Sequence, residues 1–195
     1  MSEPRYTDAD LAYVEAEFRT LDDLCADRAD TPEQVHEAID AGVLPAPSYV
    51  LPDGRELFPP DYFALVDAAG GSAGLHEHFV QQHRAASSAL GLTGIDPEED
   101  WRGYLSGEHG ATLVELTPEA MVEKAALITN IDTLVAEAAP DDEGWRGRLA
   151  GVVDDLDDLL RPVTDYDRQR WGGSSRDSHV TGVRARFLSS DATTG

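Results

Sequence analysis

A mainly α-helical fold carrying one small β-hairpin is predicted by three features of this 195-residue sequence. Apolar residues recur at helical spacing behind Thr or Asp caps along most of its length. Asp53-Gly54, a dipeptide suited to a tight turn, separates two β-prone runs, "SYVL" and "RELF". A hydrophobic content of 41% with one cysteine, Cys25, points to a core built by packing alone, without disulfides.

The first helix is expected in "TDADLAYVEAEFRT", where Thr7 is the N-cap, Asp10 completes a capping box, and Leu11, Val14 and Phe18 share a face. Thr20 opens a second helix with Leu21, Leu24 and Cys25 inward, and Thr31-Pro32 opens a third that ends at Gly42. The hairpin follows, then "PPDYFALVDAAG" as a short helix. Further helices are expected in "SAGLHEHFVQQHRAASSALG" and from Asp96-Pro97. Thr117-Pro118 starts a long one, and "DDEGWRGRLAGVVDDLDDLLRP" ends the series at Pro162. The last two should form an antiparallel pair, with Leu127, Ile131 and Leu134 against Leu149, Val152, Val153, Leu156 and Leu159. Beyond Pro162 the pattern weakens. The expected division is a module at 1–66, a helical bundle at 67–188 and a mobile tail at 189–195.

The order of elements in "LDDLCADRADTPEQVHEAIDAGVLPAPSYVLPDGRELFPPDYFAL" resembles the winged helix-turn-helix of the mercury-resistance-regulator (MerR) superfamily. The resemblance implies an N-terminal MerR-like winged helix-turn-helix packed on a C-terminal helical bundle. The chemistry of a DNA reader is missing from it. Between Thr7 and Phe58 stand 13 acidic residues and three arginines, Arg19, Arg28 and Arg55, a net of −10. Non-specific DNA affinity typically rests on roughly 6–10 phosphate contacts, more than three scattered arginines supply. Packing of the hairpin by Tyr49, Phe58, Tyr62 and Phe63 is the expected use of the segment.

Over the whole chain 38 acidic residues oppose 15 basic ones, for a net charge of −23. Such a balance disfavours nucleic acid and anionic membrane as partners. It also fits a GC-rich or salt-adapted proteome. No apolar run approaches the roughly 18 residues of a membrane span, and the start lacks a signal-peptide pattern, so a cytoplasmic protein is expected.

Three stretches invite a chemical reading. In "WRGYLSGEHG", Glu108 and His109 are the candidate catalytic acid and base, and Trp101, Arg102 and Tyr104 are candidate substrate contacts. In "RWGGSSRDSH", paired glycines, serines and Arg176 suit a carboxylate or phosphate, without the spacing of a Walker or dinucleotide loop. Tyr49 is a candidate aromatic wall. His76, His78 and His83 are weak metal candidates only, since His76 and His83 are seven residues apart, roughly 10 Å along a helix. No metal and no organic cofactor is expected.

Taken together, "PSYVLPDGRELFPPDYF", "YLSGEHGATLVELTPEAMVEK" and "RPVTDYDRQRWGGSSRDS" resemble bacterial proteins described only as natural-product biosynthesis proteins. That resemblance implies a pathway and no catalytic residue. The expected function is a small tailoring enzyme doing acid–base chemistry on an anionic small molecule. A non-catalytic protein that binds a small molecule or a carrier protein, and a regulator, are the alternatives. The ligand is expected in a cleft between hairpin and bundle.

Overall fold

In chain order the helices are α1 (Asp8–Glu17), α2 (Leu21–Cys25), α3 (Pro32–Asp40), α4 (Ala64–Ala68), α5 (Leu75–Ala89), α6 (Pro97–Leu105), α7 (Glu108–Thr112), α8 (Pro118–Ala136), α9 (Glu143–Leu159) and α10 (Asp165–Trp171). Two strands, β1 (Tyr49–Val50) and β2 (Glu56–Leu57), lie between α3 and α4. This computed structural model describes residues 4–189, so the expected tail lies outside the described residues apart from Ser189. The protein is mainly helical with one two-stranded antiparallel sheet.

Threonine side chains set the starts of α1, α2, α3, α8 and α10. At α1 the Thr7 hydroxyl accepts from the Asp10 amide at 3.2 Å, and the Asp10 carboxylate accepts from the Thr7 amide at 2.8 Å. Two otherwise unpaired N–H groups are thereby satisfied. Pro118 and Pro32 then occupy first-turn positions where their missing N–H is no loss.

The hairpin pairs Tyr49 with Leu57 and Val50 with Glu56, closed by Gly54 at φ +88°. Its inner residues Tyr49, Leu51 and Leu57 are buried with Val14, Phe18 and Ala111. Phe58, Tyr62 and Phe63 are buried too, so all four aromatic residues of this segment pack as expected. A second cluster runs without a break from Leu21, Val35 and Leu44 through Phe79 and Tyr104 to Leu149, Val153 and Leu156.

In the bundle α8 packs along α9 on one side and α5 on the other. The Trp145 indole, buried in α9, donates to the Leu134 carbonyl of α8 at 3.0 Å and pins the pair together. The chain past Pro162 departs from the sequence expectation by forming α10 and then wide π-type turns at Arg176–Thr181 and Arg184–Leu188. Val180, Val183 and Phe187 hold those turns on the core. Among the described residues no helix is long and apolar enough to cross a membrane.

Candidate functional site

The first-turn glycines around α7 decide where its side chains go. Gly107 has φ +78°, and a Cβ there would sit 2.6 Å from the Ala46 carbonyl oxygen and 2.7 Å from that of Pro47. Only glycine lets the 46–48 segment approach so closely. The Ser48 hydroxyl then donates to the Gly107 carbonyl at 3.1 Å. From this clamp α7 points Glu108 outward and His109 inward, so the two neighbours expected to act as one acid–base pair face different surroundings.

His109 enters a buried polar cluster. Asp100, from α6, accepts a hydrogen bond from His83 Nε2 at 2.8 Å and faces His109 Nε2 at 3.4 Å. His83 is fully buried, and neither ring nitrogen of His109 finds a hydrogen-bond partner. Burial alone would push the Asp100 carboxyl up, yet the two imidazoles outweigh it and hold it below the usual carboxylate range. Gly103 makes room for this arrangement, since a Cβ there would come within 2.5 Å of His109 Nε2. Of the other candidate metal ligands, His76 meets Glu98 at 3.1 Å and His78 is half-buried. Among the described residues no group of three His, Cys, Asp or Glu side chains is placed to hold a metal ion.

Glu108 instead borders a cavity of about 110 Å³. Its polar lining is Glu108, Thr112, Lys124, Arg161, Asp167, Ser174, Ser175 and Arg176, and its apolar lining includes Ala111, Leu160, Val163 and Trp171. Arg161 is 7% exposed, the most deeply buried arginine or lysine among the described residues. Its Nε donates to the Leu113 carbonyl at 2.7 Å and its Nη2 to that of Val114 at 3.1 Å. Arg176 is held by the Leu160 carbonyl at 2.6 Å and by the Asp157 carboxylate. Lys124 lies on the inward stripe of α8 with Ala120, Ile128 and Ile131. Burial pushes its ammonium pKa down, and the Glu108 and Asp100 carboxylates pull part of the way back.

Asp167 closes one wall. Its Oδ2 accepts from the Tyr49 hydroxyl at 3.0 Å, the Thr164 hydroxyl at 2.7 Å and the Thr164 amide at 3.0 Å, while its buried Oδ1 has no partner. Tyr49 is therefore a support behind the cavity wall. Among the described residues neither Arg161 nor Lys124 has a carboxylate within 4.0 Å, in a chain carrying 38 of them. Arg161, buried, and Lys124, half-buried, thus lack a close counter-ion, a costly arrangement for cations drawn partly out of water.

The structure thus brings together Glu108, Arg176 and, through Asp167, Tyr49. It keeps Trp101, Arg102 and Tyr104 away from them. Tyr104 is fully buried beneath a stacked Trp101 at 5.2 Å, and Arg102 is exposed with its Nε on the Glu98 carbonyl. Nor is the cavity the cleft expected between hairpin and bundle. Tyr49 and Leu57 seal that seam, and the Arg170 guanidinium donates across it to the Ser48 carbonyl at 2.9 Å. Sequence reading left Lys124, Arg161 and Asp167 unassigned. A lysine in phase with Ala120, Ile128 and Ile131 was the available signal for the first, and the capping pattern Thr164-x-x-Asp167 for the last.

A protein-family comparison covers residues 75–188, from the first residue of α5 to the last π-type turn. The match takes in more than half of the chain. The chain belongs to DUF6058, a family of unknown function. All the polar residues lining the cavity fall inside the DUF6058 region, whereas the hairpin and α1 to α4 precede it. No curated protein and no solved structure matches the chain.

Proposed function

We propose that this protein binds a small organic anion in the cavity between α7, α8 and the Gly172–Ser175 loop, and does acid–base chemistry on it. The observation that carries the reading is the pair of counter-ion-free cations, Arg161 and Lys124, bordering one cavity in a chain of net charge −23. An anion there supplies the missing charge, and the oriented guanidinium of Arg176 with Ser174 and Ser175 adds donors around it. Drug-sized ligands occupy roughly 300–1,000 Å³. At about 110 Å³ the cavity takes a small acid or the charged end of a larger molecule. Glu108, exposed at its edge, is the proton-transfer group. His109 serves the site indirectly, through Asp100, which it faces at 3.4 Å.

The resemblance of the hairpin, α7 and Gly-Ser segments to bacterial natural-product biosynthesis proteins places the substrate, in this reading, among specialised metabolites. The segment before residue 67 is read as a winged-helix-like platform that supports the site through Tyr49. Its buried aromatic face and the Glu33, Glu37 and Asp40 side chains of α3 favour that role over contact with DNA.

Calorimetric titration with oxalate and with inorganic phosphate tests the anion site. Saturable one-to-one binding is expected, lost in Arg161→Met while circular dichroism shows a folded chain. Absence of saturable binding of either anion to the wild-type protein would sink the proposal.

A further inference from the structure

We propose that Lys124 is a covalent catalytic residue whose ε-amine forms an imine with the carbonyl group of an anionic oxo-compound, such as a 2-oxo acid. The inference rests on the anion-site reading above and names the substrate class that site would take. Four features of the structure point to it.

Lys124 is the one lysine among 195 residues, and it stands at an inward position of α8 where Ala120, Ile128 and Ile131 pack on the core. Solubility does not ask for a lysine there. Its ammonium borders the cavity and has no ion-pair partner among the described residues. The two nearest acids are otherwise disposed: Asp100 is taken up by His83 and His109, and Glu108 is exposed at the cavity edge. Arg161, fixed by two carbonyls, stands on the same cavity to orient a carboxylate beside the amine. Burial also favours the neutral, nucleophilic amine.

The step balances without a redox partner. Glu108, its exposed side chain swung in from the cavity edge, takes a proton from the Lys124 ammonium, and the freed lone pair forms a C–N bond to the carbonyl carbon. The C=O π pair moves to oxygen, which receives that proton from Glu108, giving a carbinolamine. Nitrogen then loses its second proton through Glu108 to the hydroxyl, the C–O bond breaks, and water leaves as the C=N bond forms.

Glyoxylate, a small anionic aldehyde, with cyanoborohydride at pH 7 is the probe, read by intact mass and peptide mapping. An inert buried lysine is shielded by folding, whereas this one should be trapped faster in the folded chain than in urea, as expected for an amine beside a fixed guanidinium whose pKa burial lowers. Oxalate, which carries the charge without a reactive ketone, should slow the trapping, and Glu108→Gln should slow it without weakening oxalate binding. Slower labelling of the folded chain than of the unfolded chain overturns the proposal. If oxalate still binds in that case, the anion site stands and the imine falls. If oxalate fails to bind while Lys124 is trapped rapidly, the reactive lysine stands and the anion site falls.

Discussion

Replacing Gly107 by alanine tests the clamp that aims Glu108. Two penalties combine at this position. An L-residue held at φ +78° costs about 1–2 kcal/mol for the left-handed backbone. The new Cβ would meet two backbone oxygens at 2.6 and 2.7 Å, and neither can rotate away. Forced overpacking of this kind typically adds roughly 1–3 kcal/mol. The sum is about 2–5 kcal/mol, and in a domain of this size each kcal/mol lowers Tm by roughly 2–4 °C. Gly172→Ala is the control, because Gly172 has φ +73° and nothing within 4 Å of the added carbon. It should show the backbone part alone. Scanning calorimetry of both variants reads the difference, and Gly107→Ala should also weaken oxalate binding as α7 shifts. Equal Tm losses for the two variants would refute the close-approach reasoning.

Two further outcomes depend on charge. Lys124→Met should raise the urea midpoint at pH 7, because a lysine whose folded pKa is depressed destabilises the native state wherever it is protonated. That gain should shrink as pH rises toward the unfolded lysine pKa of about 10.4, where the amine is neutral in both states; a gain constant from pH 7 to pH 10.5 would contradict it. Asp100 behaves in the opposite window. Its folded pKa is lowered by His109 and His83 against the effect of burial, so its contribution is present above the unfolded value of about 3.9 and is lost as pH falls through the folded one. Asp100→Asn should therefore flatten the loss of stability below about pH 4, measured by urea midpoints at successive pH values.

Helix starts were the most legible part of the sequence, because a Thr cap with a partner three residues on is a local, chemically complete signal. Thr7, Thr20, Thr31 and Thr117 all open helices where the pattern placed them. The same signal stood at Thr164 with Asp167 and went unread, since "DYDRQRW" carries no apolar stripe behind it. Contacts between distant segments left little trace. Arg161 follows an apolar run and reads as an exposed helix end. It is buried because residues 112–114 run beside 159–161 in a short bridge, Leu113 opposite Leu160. Likewise the adjacency of Glu108 and His109 suggested a pair, but helical geometry sends consecutive side chains in different directions. Lys124 was conspicuous by composition and became a site residue only once its neighbours on α8 were seen to be buried.

The N-terminal end of the described chain is stitched to α10. Tyr6 stacks on Tyr166 with ring centroids 3.8 Å apart, the Asp165 amide donates to the Asp10 carboxylate at 3.0 Å, and the Arg5 amide donates to Gln169 at 3.1 Å. Contacts separated by some 155 residues close late and slow folding. On the ribosome, where the chain grows at roughly 5–20 residues per second, α1 must wait about 8–30 s for α10 to be made. Asp167 rides on α10 and is met by Tyr49, so an incomplete nascent chain has no finished cavity. The Gly172–Ser175 loop can border that cavity beside α8 only after synthesis has delivered both.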